Sequence, residues 1–516
     1  MTKMKKSIVL SLVILLLTGT FGCNDSKPAE PLNMLELTIA DIHRAFEEGT
    51  LTSVQLVEGY LKRIEHLNDT LNALTVINPV ALELAKELDR EYRETGILRP
   101  LHGIPLIVKD NINTAGLPTT AGALALKDYI PAEDAFVIRK LREAGAIILA
   151  KSNMAEWAFS PMHTESSTAG TTRNPYNLDH VPAGSSGGTA ASIAANQAVI
   201  GLGTDTGNSI RGPSSHCALV GFRTTQGLIS RSAIVPLYLR NDIVGPLCRS
   251  VEDATRVMEI MAGYDPLDPV TRYSEGKIPA NYLQYLEPEG LKGARIGVLG
   301  ALSYEDIHPE ILALFSQALE DMKARGAEII DSVSIPEFSD LQQNLWCADF
   351  RKDIEAFLDT WVERDTLRTL EDIIRIGTHS DYASGSLTYF KDHSGRDQNL
   401  VKECLDVYQD PRSIAFREAI EQVMDALDLD ALVYPSWNYP PAGIDNFREE
   451  YRGDNSQIIA PHTGQPAFTI PMGYTGNNLP AGIQFLGRMF DEPTLLRLTF
   501  AYEQATHHRK PPDLPK

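Results

Sequence analysis

Apolar residues in the stretch 54–64 recur at the spacing of one helical face. Thr52, with Gln55 three residues later, forms a capping box, which is a start signal for this helix. An earlier helix is predicted to open at Thr38 and to end at Gly49. We interpret both helices as scaffold.

From about residue 101 the pattern changes to short apolar runs separated by helical stretches. The runs 104–108 and 146–150 are typical of buried strands, and the stretch 135–145 between them has helical character. Four further strands are predicted at 295–299, 430–434, 467–471 and 482–486, and a closing helix at 492–505. This alternation of strands and helices is typical of an α/β layered fold.

The chain has 516 residues, which is enough for one large domain or for two to three smaller ones. We expect one domain over 34–510, with a catalytic core at about 100–255. The stretch 341–411 carries no chemical motif. We interpret it as part of a helical insertion, at about 300–420, that shapes the substrate entrance.

The first 23 residues have the composition of a targeting segment. A basic start precedes an apolar run at 8–17, which is too short to span a bilayer. Small residues then lead to Cys23, an order that resembles a bacterial lipoprotein signal with Cys23 as the lipidated N-terminus. Such signals usually have Leu where this chain has Thr20, so an ordinary secretory signal stays the alternative. With 24–33 as linker, we expect an exported protein in the periplasm or at the cell surface, anchored by lipid.

Charge and cysteine content limit the classes of partner and site. The formal net charge is −21, and it would become −24 without the targeting segment and its three lysines. Because no stripe rich in Lys and Arg follows, a nucleic-acid partner is not expected. Besides Cys23, the cysteines are Cys217, Cys248, Cys347 and Cys404. They are widely spaced, so we expect buried free thiols, with disulfides permitted by export, and no zinc or iron–sulfur site.

The stretch 181–223 concentrates serines in glycine-rich turns. Glycine permits positive φ and close approach of the backbone, so N–H groups within 203–209 could converge on one point beside Ser209. That arrangement is typical of a serine nucleophile next to an oxyanion hole. The nearby histidines fit no triad pattern, which leaves lysine as the base. Lys109 ends an apolar run, where burial would lower the pKa of its ammonium group toward neutrality.

Several segments resemble the motifs of the amidase signature family and occur in the order of that family. They are 102–111, 150–156, 184–188, 203–211, 244–246, 249–253, 464–467 and 480–484. Each segment alone is a weak signal, but the ordered set threads the chain from about residue 35 to 505. The family includes fatty acid amide hydrolase, peptide amidases and the glutaminase subunit of tRNA-dependent amidotransferases.

The resemblance implies an α/β fold with a single large domain, in which a central twisted mixed β-sheet is covered by helices on both faces. It also implies that Ser209 attacks the amide carbonyl to form an acyl-enzyme that water then hydrolyses. Ser185, held by a cis peptide bond, would relay the proton between Ser209 and neutral Lys109. The oxyanion would be held by the backbone N–H groups of Thr206, Gly207, Asn208 and Ser209. No metal or cofactor is implied.

The chain departs from the usual family pattern at two positions in these turns. Asn208 stands where glycine is typical before the nucleophile, and Ala183 replaces a glycine before Gly184. Asparagine tolerates positive φ better than most residues, so we expect the turn to survive. The side chain of Asn208 would narrow the pocket or contact the substrate.

Other residues near the two turns have competing interpretations. The first serine cluster also fits the nucleophile elbow of α/β-hydrolases, with Ser186 as the nucleophile. That motif requires a strand directly before the serine, whereas 177–182 has the composition of a loop. We therefore interpret Ser186 as a support of the turn and Lys151 as structural. We expect Asp205 and Arg211 to brace the loop that carries Ser209.

Our first functional hypothesis is an amidase that converts a small-molecule or peptide amide into an acid plus ammonia or an amine. The alternative within the same fold is the glutaminase subunit of a tRNA-dependent amidotransferase, against which the export signal argues. An alternative of another class is a non-catalytic lipoprotein that binds solutes. The joint presence of Lys109, Ser185 and Ser209 argues against it, because binding alone does not need this set. Whether the unit is one chain or a homodimer stays open.

Overall fold

Eleven short strands lie side by side in one mixed β-sheet. The computed structural model describes residues 34–362, 364–393 and 403–514, so the predicted targeting segment and linker lie outside the described residues. The strands are β1 (Leu74–Ile77), β2 (Pro105–Lys109), β3 (Ile147–Ser152), β4 (Glu165–Ser166), β5 (Gly170–Thr171), β6 (Ile200–Asp205), β7 (Val220–Arg223), β8 (Ile243–Cys248), β9 (Arg295–Leu299), β10 (Glu328–Val333), β11 (Ala431–Pro435), β12 (Ala467–Tyr474) and β13 (Pro480–Leu486). β4 and β5 form a separate two-stranded sheet. The order in the main sheet is β1-β3-β2-β6-β8-β7-β12-β13-β11-β9-β10.

The sheet combines two parallel regions with antiparallel pairs between them. β2 runs parallel to β3 and β6, and β9 runs parallel to β10 and β11. The pairs that join these regions, through β8, β7, β12 and β13, are antiparallel. Every residue of β2, β3 and β6 is buried, which explains why two of these strands stand out in the sequence as continuous apolar runs.

Helices flank the sheet and connect its strands. They are α1 (Ile39–Glu47), α2 (Ser53–Leu71), α3 (Ala81–Thr95), α4 (Phe136–Glu143), α5 (Gly187–Ala194), α6 (Arg211–His216), α7 (Val251–Met261), α8 (Gly300–Ser303), α9 (Pro309–Ala324), α10 (Phe338–Leu341), α11 (Phe350–Phe357), α12 (Leu370–Ile376), α13 (Asp381–Asp392), α14 (Pro411–Ala426), α15 (Phe447–Glu450), α16 (Ala460–Thr463) and α17 (Glu492–Thr506). α5 packs against β2 and β6, and α6 packs against β7, β12 and β13. Within the described ranges, no helix has the length and apolarity needed to cross a membrane.

The predicted α/β class with one mixed sheet is confirmed, and several boundaries match closely. Thr38 caps α1, and Thr52 forms the predicted capping box with Gln55 at the start of α2. The predicted strand at 295–299 and the closing helix correspond to β9 and α17. From Met34 onward the chain forms one compact unit.

The stretch at about 300–420 differs from the helical insertion that we expected. Its first part contains β10, which pairs with β9 at the edge of the main sheet, and α9, which packs on the sheet. The helical part runs from Phe338, where α10 begins, to Asp392, where α13 ends, and it includes a π-helical turn at Leu358–Val362. Apolar side chains of α11–α13 form a cluster of their own with Trp157 and its neighbours. This helical part, rather than the whole stretch, lies beside the candidate site.

The cysteines divide into two kinds. Cys347 and Cys404 form a disulfide, with Cα atoms 5.7 Å apart, although 57 positions separate them in the sequence. Cys217 and Cys248 are buried free thiols. The expectation of free thiols is therefore confirmed for Cys217 and Cys248. It is wrong for Cys347 and Cys404, because only folding brings these two distant positions together.

Candidate active site

The site begins with Lys109, the last residue of β2. This strand lies between β3 and β6, so the side chain of Lys109 is fully buried. Its Nζ lies 2.7 Å from Ser185 Oγ, 2.8 Å from Thr204 Oγ1 and 3.3 Å from Thr204 O. No carboxylate of the described residues forms an ion pair with it.

Burial controls the protonation of Lys109. Removal from water lowers the pKa of its ammonium group to about 7, although the more distant carboxylates of Asp205 and Asp242 act in the opposite direction. A neutral amine is therefore available near pH 7. The sequence predicted this position and its environment, and the structure places Lys109 against the hydroxyl of Ser185.

Ser185 lies in a tight turn before α5. The peptide bond between Gly184 and Ser185 is cis, as the family resemblance implied, and Ser185 is fully buried. A Cβ atom on Gly184 would lie 2.4 Å from two carbonyl oxygens, so close packing requires glycine there. Ala183 has φ of +61°, a conformation that favours glycine, which is consistent with the glycine usual at this position.

Ser209 lies in the loop that connects β6 to α6. It is 4% exposed, and its Oγ donates to Asn208 Oδ1 at 3.5 Å. We expected positive φ in this loop, but neither Asn208 nor its neighbour Gly207 adopts it. Close approach explains the glycine instead, because a Cβ atom on Gly207 would lie 3.1 Å from Gln457 Oε1.

A buried ion cluster holds the loop 206–210, which carries Ser209, in place. The Asp205 carboxylate accepts from Arg211 Nε at 3.1 Å and from Arg223 Nη1 at 2.8 Å. Arg211 Nη2 also donates to Gly207 O at 2.7 Å. Burial alone would raise the pKa of Asp205, but Arg211 and Arg223 overcome this effect and lower it to about 2. The expected bracing role of Asp205 and Arg211 is thus visible, and Arg223 is a third member that the sequence did not single out.

Asp242 is a second brace that sequence reasoning missed. Its carboxylate accepts from Thr206 Oγ1 at 2.5 Å, from the backbone N–H of Leu237 at 2.9 Å and from that of Tyr238 at 3.3 Å. It therefore ties the loop that carries Ser209 to a wall of the adjoining cavity. Its position two residues before the segment 244–246 of the family motif was a signal that could have found it.

A cavity of about 330 Å³ opens over the loop that carries Ser209. Thr206, Gly207, Asn208 and Ser209 line one side of it. Aromatic rings line much of the rest, and they are Phe159, Tyr238, Trp346, Tyr382, Tyr389 and Phe390. Four of the six come from the helical part that begins at Phe338. This wall could not be located from the sequence, because it depends on how those helices pack.

The residues that we interpreted as structural have structural contacts. Ser186 Oγ donates to Thr204 O at 3.2 Å, and Lys151 Nζ donates to Ile112 O at 2.6 Å. The stretch 177–182 before the first serine cluster contains turns and isolated bridges but no strand. The strand–turn–helix geometry of a nucleophile elbow is therefore not formed around Ser186.

Comparison with known proteins establishes the family. The sequence model of the family described as Amidase matches residues 55–496. The chain belongs to the amidase signature family. It is accordingly a hydrolase that acts on amide C–N bonds.

Two curated relatives match this amidase over nearly its whole length. A probable amidase of Arabidopsis thaliana is 34% identical over 527 residues, covering 98% of this chain and 96% of the relative. A glutamyl-tRNA(Gln) amidotransferase subunit of Syntrophus aciditrophicus is 32% identical over 508 residues, covering 93% and 99%. Among solved structures, the native peptide amidase from Stenotrophomonas maltophilia has a TM-score of 0.78 and 36% identity, covering 93% of this amidase and 99% of that chain.

We predict that Asp205→Asn destabilises this amidase strongly, because it leaves Arg211 and Arg223 buried without a countercharge. Breaking a buried pair in this way costs about 3–5 kcal/mol. The expected fall in Tm is about 3 °C or more in calorimetry of the full chain. Asp425→Asn is the matched control, since Asp425 pairs with Arg488 but is 70% exposed, and it should change stability by less than about 1 kcal/mol. Equal Tm values for the two variants would contradict the bracing role.

Proposed function

We propose that Ser209 is the nucleophile of this amidase, Lys109 its base and Ser185 the proton relay between them. The observation that carries the proposal is the buried contact of 2.7 Å between Lys109 Nζ and Ser185 Oγ. A lysine without an ion pair is an unfavourable group to bury, and its amine is the kind of base that a serine nucleophile needs. β2 and β6 are parallel neighbours, so Lys109 lies close to the loop that presents Ser209.

Acylation follows from these positions. Ser209 Oγ attacks the amide carbonyl carbon while its proton passes to Ser185, and the proton of Ser185 passes to neutral Lys109. The backbone N–H groups of residues 206–209 stabilise the oxyanion. When the C–N bond breaks, the proton returns from Lys109 through Ser185 to the leaving nitrogen. In the resting site the hydroxyl of Ser209 faces Asn208, so it rotates about Cα–Cβ toward Ser185 when substrate binds.

Deacylation uses the same groups in reverse. A water molecule loses a proton through Ser185 to Lys109 and attacks the acyl carbon. The bond between that carbon and Ser209 Oγ breaks, and Ser209 recovers its proton. The products are a carboxylic acid and ammonia or an amine, and each of the three residues ends in its starting state.

A glutaminase role is the second candidate, because this chain is similar to the amidotransferase protein of Syntrophus aciditrophicus. We favour an independent amidase. The targeting segment argues for export, and a tRNA substrate would then be out of reach. All residues of the proposed mechanism come from one chain, so the chemistry needs no second copy and no partner protein.

We also propose that the amidase is exported and anchored through a lipid on Cys23. The support is the composition of the first 23 residues together with the disulfide between Cys347 and Cys404. Disulfides persist in oxidising compartments such as the periplasm or the cell surface and are rare in the cytosol.

We predict that Ser209→Ala and Lys109→Met each reduce amide hydrolysis by at least about a thousandfold, because each removes a group that forms or breaks bonds. The measurement is turnover of a panel of amidated peptides, anilides, fatty amides and small aliphatic amides. Ser186→Ala is the matched control, since Ser186 only supports the turn through Thr204 O, and it should retain activity within about tenfold. An active Ser209→Ala variant would overturn the assignment of the nucleophile.

The pH dependence follows from the pKa of Lys109. With a pKa of about 7, the amine is protonated and inactive as a base below that pH. We expect kcat/KM to rise tenfold per pH unit up to about pH 7 and then to level off. The test is a pH–rate profile with a neutral amide that does not ionise between pH 5 and 9. A rate independent of pH between 5 and 8 would argue against a lysine base.

A further inference from the structure

We infer that Gln457 recognises an N–H group on the acyl half of the substrate, next to the scissile carbonyl. This inference rests on the proposed function, since it assumes that the cavity beside Ser209 receives the acyl half. The substrate class that it names is the carboxamide of an N-acylated amino acid or peptide with a large apolar side chain.

Gln457 lies at the cavity, directly over the nucleophile loop. Its Oε1 is 3.1 Å from the position that a Cβ atom on Gly207 would take, and Trp346 Cη2 is 3.2 Å from the same position. Gln457 and Trp346 therefore lie side by side against the loop that carries the oxyanion N–H groups. Both line the cavity.

The orientation of the Gln457 amide is fixed from behind. Its Nε2 donates to Asp454 Oδ2 at 2.9 Å and to the hydroxyl oxygen of Tyr451. The Tyr451 hydroxyl uses its own hydrogen to donate to Asp454 Oδ2 at 3.1 Å, so it can only accept from Gln457. Both N–H bonds of the Gln457 amide are thus used on the protein side.

This network leaves Gln457 Oε1 as a free acceptor at the cavity. No donor among the described residues bonds to it. Asp454 Oδ1 has no partner either, so a proton on this buried carboxyl can sit on Oδ1 while Oδ2 still accepts. The amide of Gln457 therefore keeps its orientation in both protonation states of Asp454. Its Oε1 can then accept a hydrogen bond from a donor on the substrate.

The acyl half is the part of the substrate that can supply this donor. In the proposed mechanism the leaving nitrogen lies against Ser185, which is fully buried, while the cavity lies on the side of Ser209 and Gly207. The six aromatic rings of the wall favour a large apolar group. In an acylated amino acid amide the N–H is attached to Cα, one carbon away from the scissile carbonyl. There it would lie near Gln457 Oε1.

A pair of substrates that differ in one non-hydrogen atom tests the proposed contact with Gln457. N-acetyl-phenylalaninamide has the N–H, and its analogue 2-acetoxy-3-phenylpropanamide has an oxygen in its place. We expect the wild-type full chain to prefer the N–H compound by about tenfold to a hundredfold in kcat/KM, because the analogue leaves Oε1 facing another acceptor. In Gln457→Met, which keeps the length of the side chain without the acceptor, the ratio should fall to within about twofold of one.

Gln457→Leu serves as a second variant if the first folds poorly, and it should give the same loss of preference. Gln504→Met is the matched control, because Gln504 is exposed on α17 and contacts Glu503, and it should keep the wild-type ratio. An unchanged ratio in both Gln457 variants overturns the inference. If wild type hydrolyses only amides that have no N–H on the acyl half, the inference about Gln457 is also overturned, while the proposed function stands. Wild type that hydrolyses no amide overturns the proposed function itself.

Discussion

The burial of Lys109 without a countercharge is the constraint on which the rest of the site depends. An ammonium group removed from water is unfavourable, and a nearby carboxylate would normally pair with it. Here the two carboxylates whose charge acts on Lys109 are bonded to other groups. Asp205 is held by Arg211 and Arg223, and Asp242 accepts from Thr206 and two backbone N–H groups. Their charge moderates the fall in the pKa of Lys109 without forming an ion pair with it.

The sheet places these groups where they can act together. β2 and β6 run parallel, and Val108 pairs with Leu202, so both strands end at the same edge. Lys109 ends one strand and Asp205 ends the other. The loop after β6 carries Ser209, and the turn before α5 carries Ser185. Functional loops at the carboxyl ends of neighbouring parallel strands are a general property of α/β sheets. In this amidase the same ion cluster that stabilises the sheet edge also holds the loop that carries Ser209.

The parts of the fold that the sequence predicted have a physical reason to be visible there. β2, β3 and β9 are short apolar runs, and α1 and α2 begin with side-chain caps. Among the strands that escaped prediction, β1 and β10 are partly exposed strands at the two edges of the sheet. β6, β7 and β8 are buried, but each contains glycine, which interrupts its apolar run. Lys109, Ser185 and Ser209 could be proposed as a set because their motifs occur in family order. The disulfide, the aromatic wall and the position of Gln457 could not, because each depends on long-range packing of the helical part and the loop near α16.

The most direct test of the central claim is covalent labelling of the nucleophile. The full chain would be treated with a fluorophosphonate at pH 8, where the Lys109 amine is mostly neutral, and the modified peptide would be identified by mass spectrometry. We expect a single adduct on Ser209, formed rapidly in wild type and far more slowly in Lys109→Met. An adduct on Ser186, with Ser209 unmodified, would contradict this assignment and would make Ser186 the nucleophile.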